Sequence, residues 1–196
     1  MLPSPRYLES DIVEADESGM PTSIRRLYLL DCPLNAEEVL RLSVPLARYL
    51  ETGREKASQT YICSRRIPWY SQERRPPAPF VCTYMGRGLQ DRARPFRFIL
   101  NNSNATALNV YLMLYPKPFL ARALQSDPQL ATAVWQVLNE ISPETLLGEG
   151  RVYGGGLYKM EPKELANVPA DALMALIPQT SFESMTQTEM FSELVA

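Results

Sequence analysis

The chain has no histidine in its 196 residues. That absence removes serine–histidine and cysteine–histidine catalysis, imidazole general-base chemistry and histidine metal ligation together. Cysteine is scarce as well. Cys32, Cys63 and Cys82 lie far apart and no CxxC pair occurs, so neither a zinc site nor a disulfide framework is expected. Each thiol reads as a small core hydrophobe. No apolar run approaches a membrane span; "NVYLMLYP" is far too short. The opening "MLPSPRYLESDIVEADESG" is acidic and polar, unlike a signal or transit peptide, so a cytoplasmic protein with no membrane partner is expected.

What is present is a normal globular composition, with 45% apolar and 21% charged residues and a high proline count of 17. The formal net charge of −2 hides a segregation. Residues 54 to 97 hold ten basic against three acidic side chains, nine of the ten being arginine, while residues 1 to 20 and 161 to 196 are acidic. The ends folding back to neutralise the middle is one explanation. Arginine's planar fork favours another, bidentate contact with phosphates or guanine edges, and hence a polyanionic partner.

Residues 1–21 read as an acidic tail or linker, 22–178 as the folded domain and 179–196 as a polar tail or frayed helix. "RRLYLLDCP" reads as a short strand. "NAEEVLRLSVPLARYLETG" reads as a helix capped by Asn35 with Glu38, broken or kinked at Pro45 and stopped at Gly53, with Leu40, Val44, Leu46 or Ala47, and Leu50 on its apolar face. Strands are expected in "QTYICSR", "PFVCTYM", "PFRFILN" and "ATALNVYLMLYP", and helices in "PFLARALQS" and "PQLATAVWQVLNEI". A helical turn at "SPETLL", a strand–glycine loop–strand around Gly154 to Gly156 and a short helix from Pro162 follow. The expected class is α+β, with an antiparallel or mixed sheet and flanking helices.

"YICSRRIPWYSQERRPPAPFVCTYMGR", "FRFILNNSNATALNVYLMLYP" and "GRVYGGGLYKMEPKELANVP" together resemble the C-terminal part of gamma-class, TaqI-like adenine-specific DNA methyltransferases of restriction–modification systems. The resemblance covers over half of the chain and keeps motif order. It implies a target-recognition domain that binds double-stranded DNA sequence-specifically and positions a methyltransferase catalytic domain, in cis or in trans. That catalytic domain carries an Asn-Pro-Pro-aromatic loop and binds S-adenosylmethionine. Here the only Pro-Pro, Pro76-Pro77, lies between Arg75 and Ala78. No cofactor is therefore expected in this chain, and no catalytic residue.

Candidate DNA contacts follow from the residues. Arg65, Arg66, Arg74 and Arg75 surround a proline-rich loop, and arginines there suit phosphate or a guanine edge; Trp69 and Tyr70 either stack on a base or anchor the loop in the core. Arg87, Arg92 and Arg94 flank "MGRGLQDRARPF", where Gly86 and Gly88 permit close backbone approach; Arg97 alternates with Phe96 and Phe98 and reads as structural. Asn102, within "NNSN", suits an adenine edge or a turn. Tyr153, Lys159 and Pro162 belong to the glycine segment, which by resemblance lies near the target base pair. Two alternatives stand beside this. One is an arginine face that meets an acidic protein; the other is Asp127 with Glu161-Pro162-Lys163, which loosely matches a metal-dependent nuclease spacing.

Overall fold

The computed structural model describes residues 1–22, 24–87, 94–169 and 171–176, and the backbone of 191–195. In chain order the elements are β1 (Ile12–Val13), α1 (Ala36–Leu42), α2 (Val44–Arg54), β2 (Phe80–Thr83), β3 (Met85–Arg87), β4 (Phe98–Asn101) and β5 (Tyr111–Pro116). Then come α3 (Pro118–Ser126), α4 (Gln129–Glu140), α5 (Pro143–Glu149), β6 (Arg151–Tyr153), β7 (Leu157–Lys159), α6 (Pro162–Asn167), α7 (Ala172–Ala175) and β8 (Phe191–Val195). The expected α+β class holds. The chain divides into two compact units, Met1–Leu27 with Pro76–Ala196, and Tyr28–Arg75, where a single domain over 22–178 was expected.

The first unit is built on a five-stranded sheet in the order β1-β4-β2-β5-β8, antiparallel except for the parallel β1–β4 edge. Both of its faces are covered, which is why "FVCT" and "FILN" read as continuous apolar runs rather than alternating ones. Phe80, Cys82, Phe98, Leu100, Leu112 and Leu114 face one way, onto Leu120, Leu130, Val134 and Leu138 of the helices. Val81, Ile99, Tyr111 and Met113 face the other, onto Leu2, Leu8 and Val13. Residues 1 to 21 are therefore not a linker. Three apolar side chains scattered among acids close the second face of the sheet, and the Tyr111 hydroxyl donates to the Pro3 carbonyl at 2.8 Å beneath them.

The end of the expected polar tail is also structural, because β8 pairs along β5 as an edge strand. A smaller antiparallel sheet, β3-β7-β6, stands beside the large one, and its β6–β7 connection is the glycine loop. Gly155 and Gly156 adopt φ of +76° and +70°, a conformation that costs glycine nothing. A β-carbon at Gly154, Gly155 or Gly156 would meet nothing within 4 Å, so the loop is an open hairpin tip and not a packed bulge.

The second unit holds α1 and α2. Asn35 accepts from the Glu37 and Glu38 amides at 3.0 Å each, and Glu38 accepts from the Asn35 amide at 2.8 Å, the reciprocal cap expected from the sequence. The helix breaks at Ser43, with Pro45 in the first turn of α2. That break resets the helical phase: Val39 is buried while Leu40 and Val44, expected on the apolar face, are exposed. Gly53 does not end α2, which runs on to Arg54. "RRLYLLDCP" contains no strand, and "QTYICSR" forms turns and a single 3-10 turn at Cys63–Arg65 in place of the expected strand. The core of this unit is small: Cys32, Val39, Leu50 and Tyr70, with Leu30, Leu34, Leu46, Ala47 and Trp69 around them.

Candidate nucleic-acid interface

In the first unit the chain leaves the large sheet at the end of β2 and enters the small one. Thr83 marks the crossing. Its amide donates to the Arg97 carbonyl at 3.0 Å, and its hydroxyl accepts from the Arg97 amide at 3.0 Å. Beyond it, the Tyr84 amide donates to the Val110 carbonyl and the Tyr84 carbonyl accepts from the Met160 amide, so the connection is fixed on both sides. At Gly86 a β-carbon would lie 1.5 Å from the Pro95 carbonyl oxygen. Only glycine lets these two backbones touch, as its sequence context suggested. Gly88 and Arg92 lie outside the described residues.

This close approach shapes a cleft of about 530 Å³ between the strand of Arg87 and the segment of Arg94. Its cationic wall is Arg6, Arg87, Arg94 and Arg97, and no carboxylate is among its described lining residues. Met85, Val110 and Leu157 supply apolar floor. Arg97 is the structural member: it bonds Asp11 through Nε at 2.7 Å and donates to the carbonyls of Pro5 and Leu8 at 3.1 and 2.9 Å. It thus fastens the N-terminal segment to the sheet. Arg6, Arg87 and Arg94 are exposed and have no carboxylate partner among the described residues. Arg94 is aimed rather than loose, since its Nη1 donates to Asn139 Oδ1 at 3.1 Å. Asn139 is itself oriented by giving its amide protons to the Phe98 and Trp135 carbonyls.

Arg6 was not found from the sequence. It stands alone among five acids in the opening stretch, and only the packing of that stretch against β4 carries it to the cleft.

Of the ion pairs formed by the acidic ends, Asp11 with Arg97 reaches the basic middle of the chain, whereas Glu164 meets Arg151 and Glu161 meets Lys159, at 2.5 Å, outside it. Lys159 also lies 4.9 Å from the centre of the Tyr84 ring, whose hydroxyl donates to Glu161 at 3.3 Å. The hydrogen bond with Glu161 holds the Lys159 ammonium above its ordinary range, and the same bond pulls the Glu161 carboxyl below its own. Lys159, a candidate phosphate contact, is therefore neutralised where it stands. Tyr153 is exposed on β6, and Pro162 is the half-buried first residue of α6. Asn102 is exposed and donates to Glu14 at 3.2 Å, while the side chain of Asn101 is buried and ties the Ala78 and Ala105 carbonyls together.

The nuclease spacing has another account. Asp127 accepts from the Gln129 amide at the start of α4, and Glu161 caps α6 while pairing with Lys159. No cluster of three or more potential metal ligands occurs among the described residues. Burial pushes the Cys82 thiol far up, which leaves it an inert core group.

The remaining candidates belong to the second unit. Arg74 pairs with Asp31 at 3.0 Å and Arg75 with Glu73 at 2.9 Å. Arg66 donates to Gln72 at 2.9 Å, and the Arg65 guanidinium lies 4.0 Å from the centre of the Tyr61 ring. Tyr70 is corrected: its ring is core and its hydroxyl is satisfied by the Leu34 carbonyl at 2.6 Å, so it has no face to offer a base. Trp69 packs edge-on against it at 5.4 Å and lies over Gly53, the anchoring role rather than the stacking one.

Comparison with known proteins gives a consistent result. Residues 4–194 match the family described as the C-terminal domain of the Type II methyltransferase M.Eco57I. The chain is 33% identical over 176 residues to the Type II methyltransferase M.XamI of Xanthomonas campestris pv. amaranthicola, covering 81% of this chain and 31% of that protein. It is 28% identical over 152 residues to the Type II methyltransferase M.AccI of Acinetobacter calcoaceticus, covering 76% and 26%. The chain thus spans about a third or less of the length of these relatives. No solved structure matches it. No helix among the described residues is long and apolar enough to cross a membrane.

Proposed function

The chain belongs to the family of the C-terminal domain of the Type II methyltransferase M.Eco57I, and from that premise we propose that it is the target-recognition domain of such an enzyme. Its ligand is double-stranded DNA, and its office is to hold a chosen sequence in register with a methyltransferase catalytic part, in cis or in trans. The gamma-class, TaqI-like character of that catalytic part, its S-adenosylmethionine and the adenine amino group it methylates are parts of the same proposal. One observation carries it: the cleft walled by Arg6, Arg87, Arg94 and Arg97, with no carboxylate among its described lining residues. A duplex backbone neutralises such a wall, and a guanidinium fixed as Arg94 is can meet a guanine edge through two parallel hydrogen bonds.

The test is fluorescence anisotropy of labelled duplexes across a salt series. With Arg6 and Arg87 each neutralising one phosphate, log affinity should fall with log salt at a slope of at least about −2, steeper by about one for each further arginine that meets the backbone. Arg87→Ala should leave the melting curve alone. It should reduce the slope by about one if Arg87 meets phosphate, or cost about 1–3 kcal/mol against the cognate sequence alone if it reads a base. Binding that ignores duplex length and depends only weakly on salt would assign the cleft to an acidic protein instead.

A further inference from the structure

Ile67, in the second unit, is 98% exposed. Single apolar residues at a surface are ordinary, but this one is displayed by a built loop. The Arg66 amide donates to the Cys63 carbonyl at 3.0 Å on one side, and the Ser71 amide donates to the Pro68 carbonyl at 2.9 Å on the other. Arg66 is braced on Gln72, and Tyr70 is pinned to Leu34 three residues beyond the tip. Pro68 fixes its own backbone angle directly after Ile67, and a β-branched side chain has few rotamers to lose. The loop therefore holds a stiff apolar knuckle out into water.

Its surroundings say what it meets. Tyr61 and Ile62 are exposed nearby in the chain, and the Arg65 guanidinium lies over the Tyr61 ring. No acidic residue occurs from Lys56 through Gln72, and Glu73 is engaged by Arg75. An apolar tip directly preceded by Arg65 and Arg66, in a stretch of chain without acidic residues, complements a surface that is anionic outside and apolar within. A stacked duplex, with phosphates flanking base faces, is such a surface; an acidic protein offers the charge without the slot.

We infer that Ile67 is a wedge that enters between adjacent base pairs of duplex DNA, with Arg65 and Arg66 on the flanking phosphates. Apolar wedges of this kind part a base step and kink the duplex. The inference rests on the DNA-binding function proposed above, but it concerns a different unit and different residues.

The experiment uses the whole chain and a duplex selected by it from a random pool, with 2-aminopurine placed at successive positions to report unstacking. The wild type and Ile67→Leu should raise fluorescence at one step. Ile67→Ala should abolish that rise and weaken affinity about tenfold, in line with the cost of an unsupported unstacked step. An unchanged melting curve is expected, because Ile67 packs against nothing. If Ile67→Ala keeps both signal and affinity, or if no position responds to wild type although Arg87→Ala weakens binding, the wedge is overturned and the DNA-binding function survives. If the wild type binds no duplex, both fall.

Discussion

In the second unit Arg41, Arg54, Arg74 and Arg75 each lie against a carboxylate, at 3.9, 3.2, 3.0 and 2.9 Å. Around the cleft of the first unit, Arg6, Arg87 and Arg94 have no such partner among the described residues, although they belong to the same chain of net charge −2. The cores differ in parallel. The first unit buries both faces of a sheet, whereas the second gathers a handful of side chains around Tyr70. Arginine count alone therefore says little about function. What matters is whether a carboxylate is placed within reach.

The difference in cores can be broken most directly at Tyr70. Tyr70→Ala should cost the second unit about 3–5 kcal/mol, the range for deleting a buried aromatic. Hydrogen exchange should then show the amides of α1 and α2 opening while those of β2, β4 and β5 stay protected. Uniform loss of protection across both units would show that they unfold as one.

Next in size is Arg97, the one cleft arginine that is structural. Arg97→Ala leaves Asp11 and two carbonyls without their donor and should destabilise the chain by about 2–3 kcal/mol in urea titration. Arg87→Ala, next to Gly86 and in the same cleft, should not move the midpoint. Equal effects on stability would erase the distinction between anchor and contact.

Glu161 tests whether neutralisation is what separates Lys159 from the cleft arginines. Glu161→Gln removes the carboxylate and should strengthen duplex binding, steepening the salt slope by about one. The pH dependence follows from the lowered carboxyl. The Lys159–Glu161 pair contributes at neutral pH and is lost only as pH falls through the lowered value of Glu161, below the usual carboxylate range. Binding by the wild type should accordingly approach that of Glu161→Gln in acid, and an unchanged difference between them down to the carboxylate range and below it would contradict the pairing.

The smallest effect belongs to the surface pair in the second unit. Arg74→Ala should change stability by less than about 1 kcal/mol, since Arg74 is highly exposed and such pairs are weak. A larger loss in thermal melting would mean that this pair braces the loop.

Much of this was legible in local pattern. The Asn35 cap, the break at Pro45, the helices over 118–126 and 129–140, the glycine hairpin and the helix from Pro162 all rest on interactions within a few residues, which is the range over which sequence speaks plainly. Gly86 was singled out for close backbone approach, and Arg97 as structural, and both hold. The strands that were expected but do not form share one cause. "QTYICSR" has the composition of a strand, but no neighbouring strand pairs with it, and β-forming residues without a partner ladder settle into turns.

The sequence by itself determined where the capped helices begin, that arginine gathers in the middle of the chain, and that imidazole chemistry is excluded. Tertiary structure alone decided which arginines remain without a carboxylate. Leu2, Leu8 and Val13 are too sparse to announce a buried segment, yet they close a sheet face whose other cover lies more than a hundred residues away. Closing it carries Asp11 onto Arg97 and Arg6 to the cleft. Electrostatic pairing falls off within a few ångströms, while sequence distance says almost nothing about spatial distance, so only the fold could settle where the charge is left over.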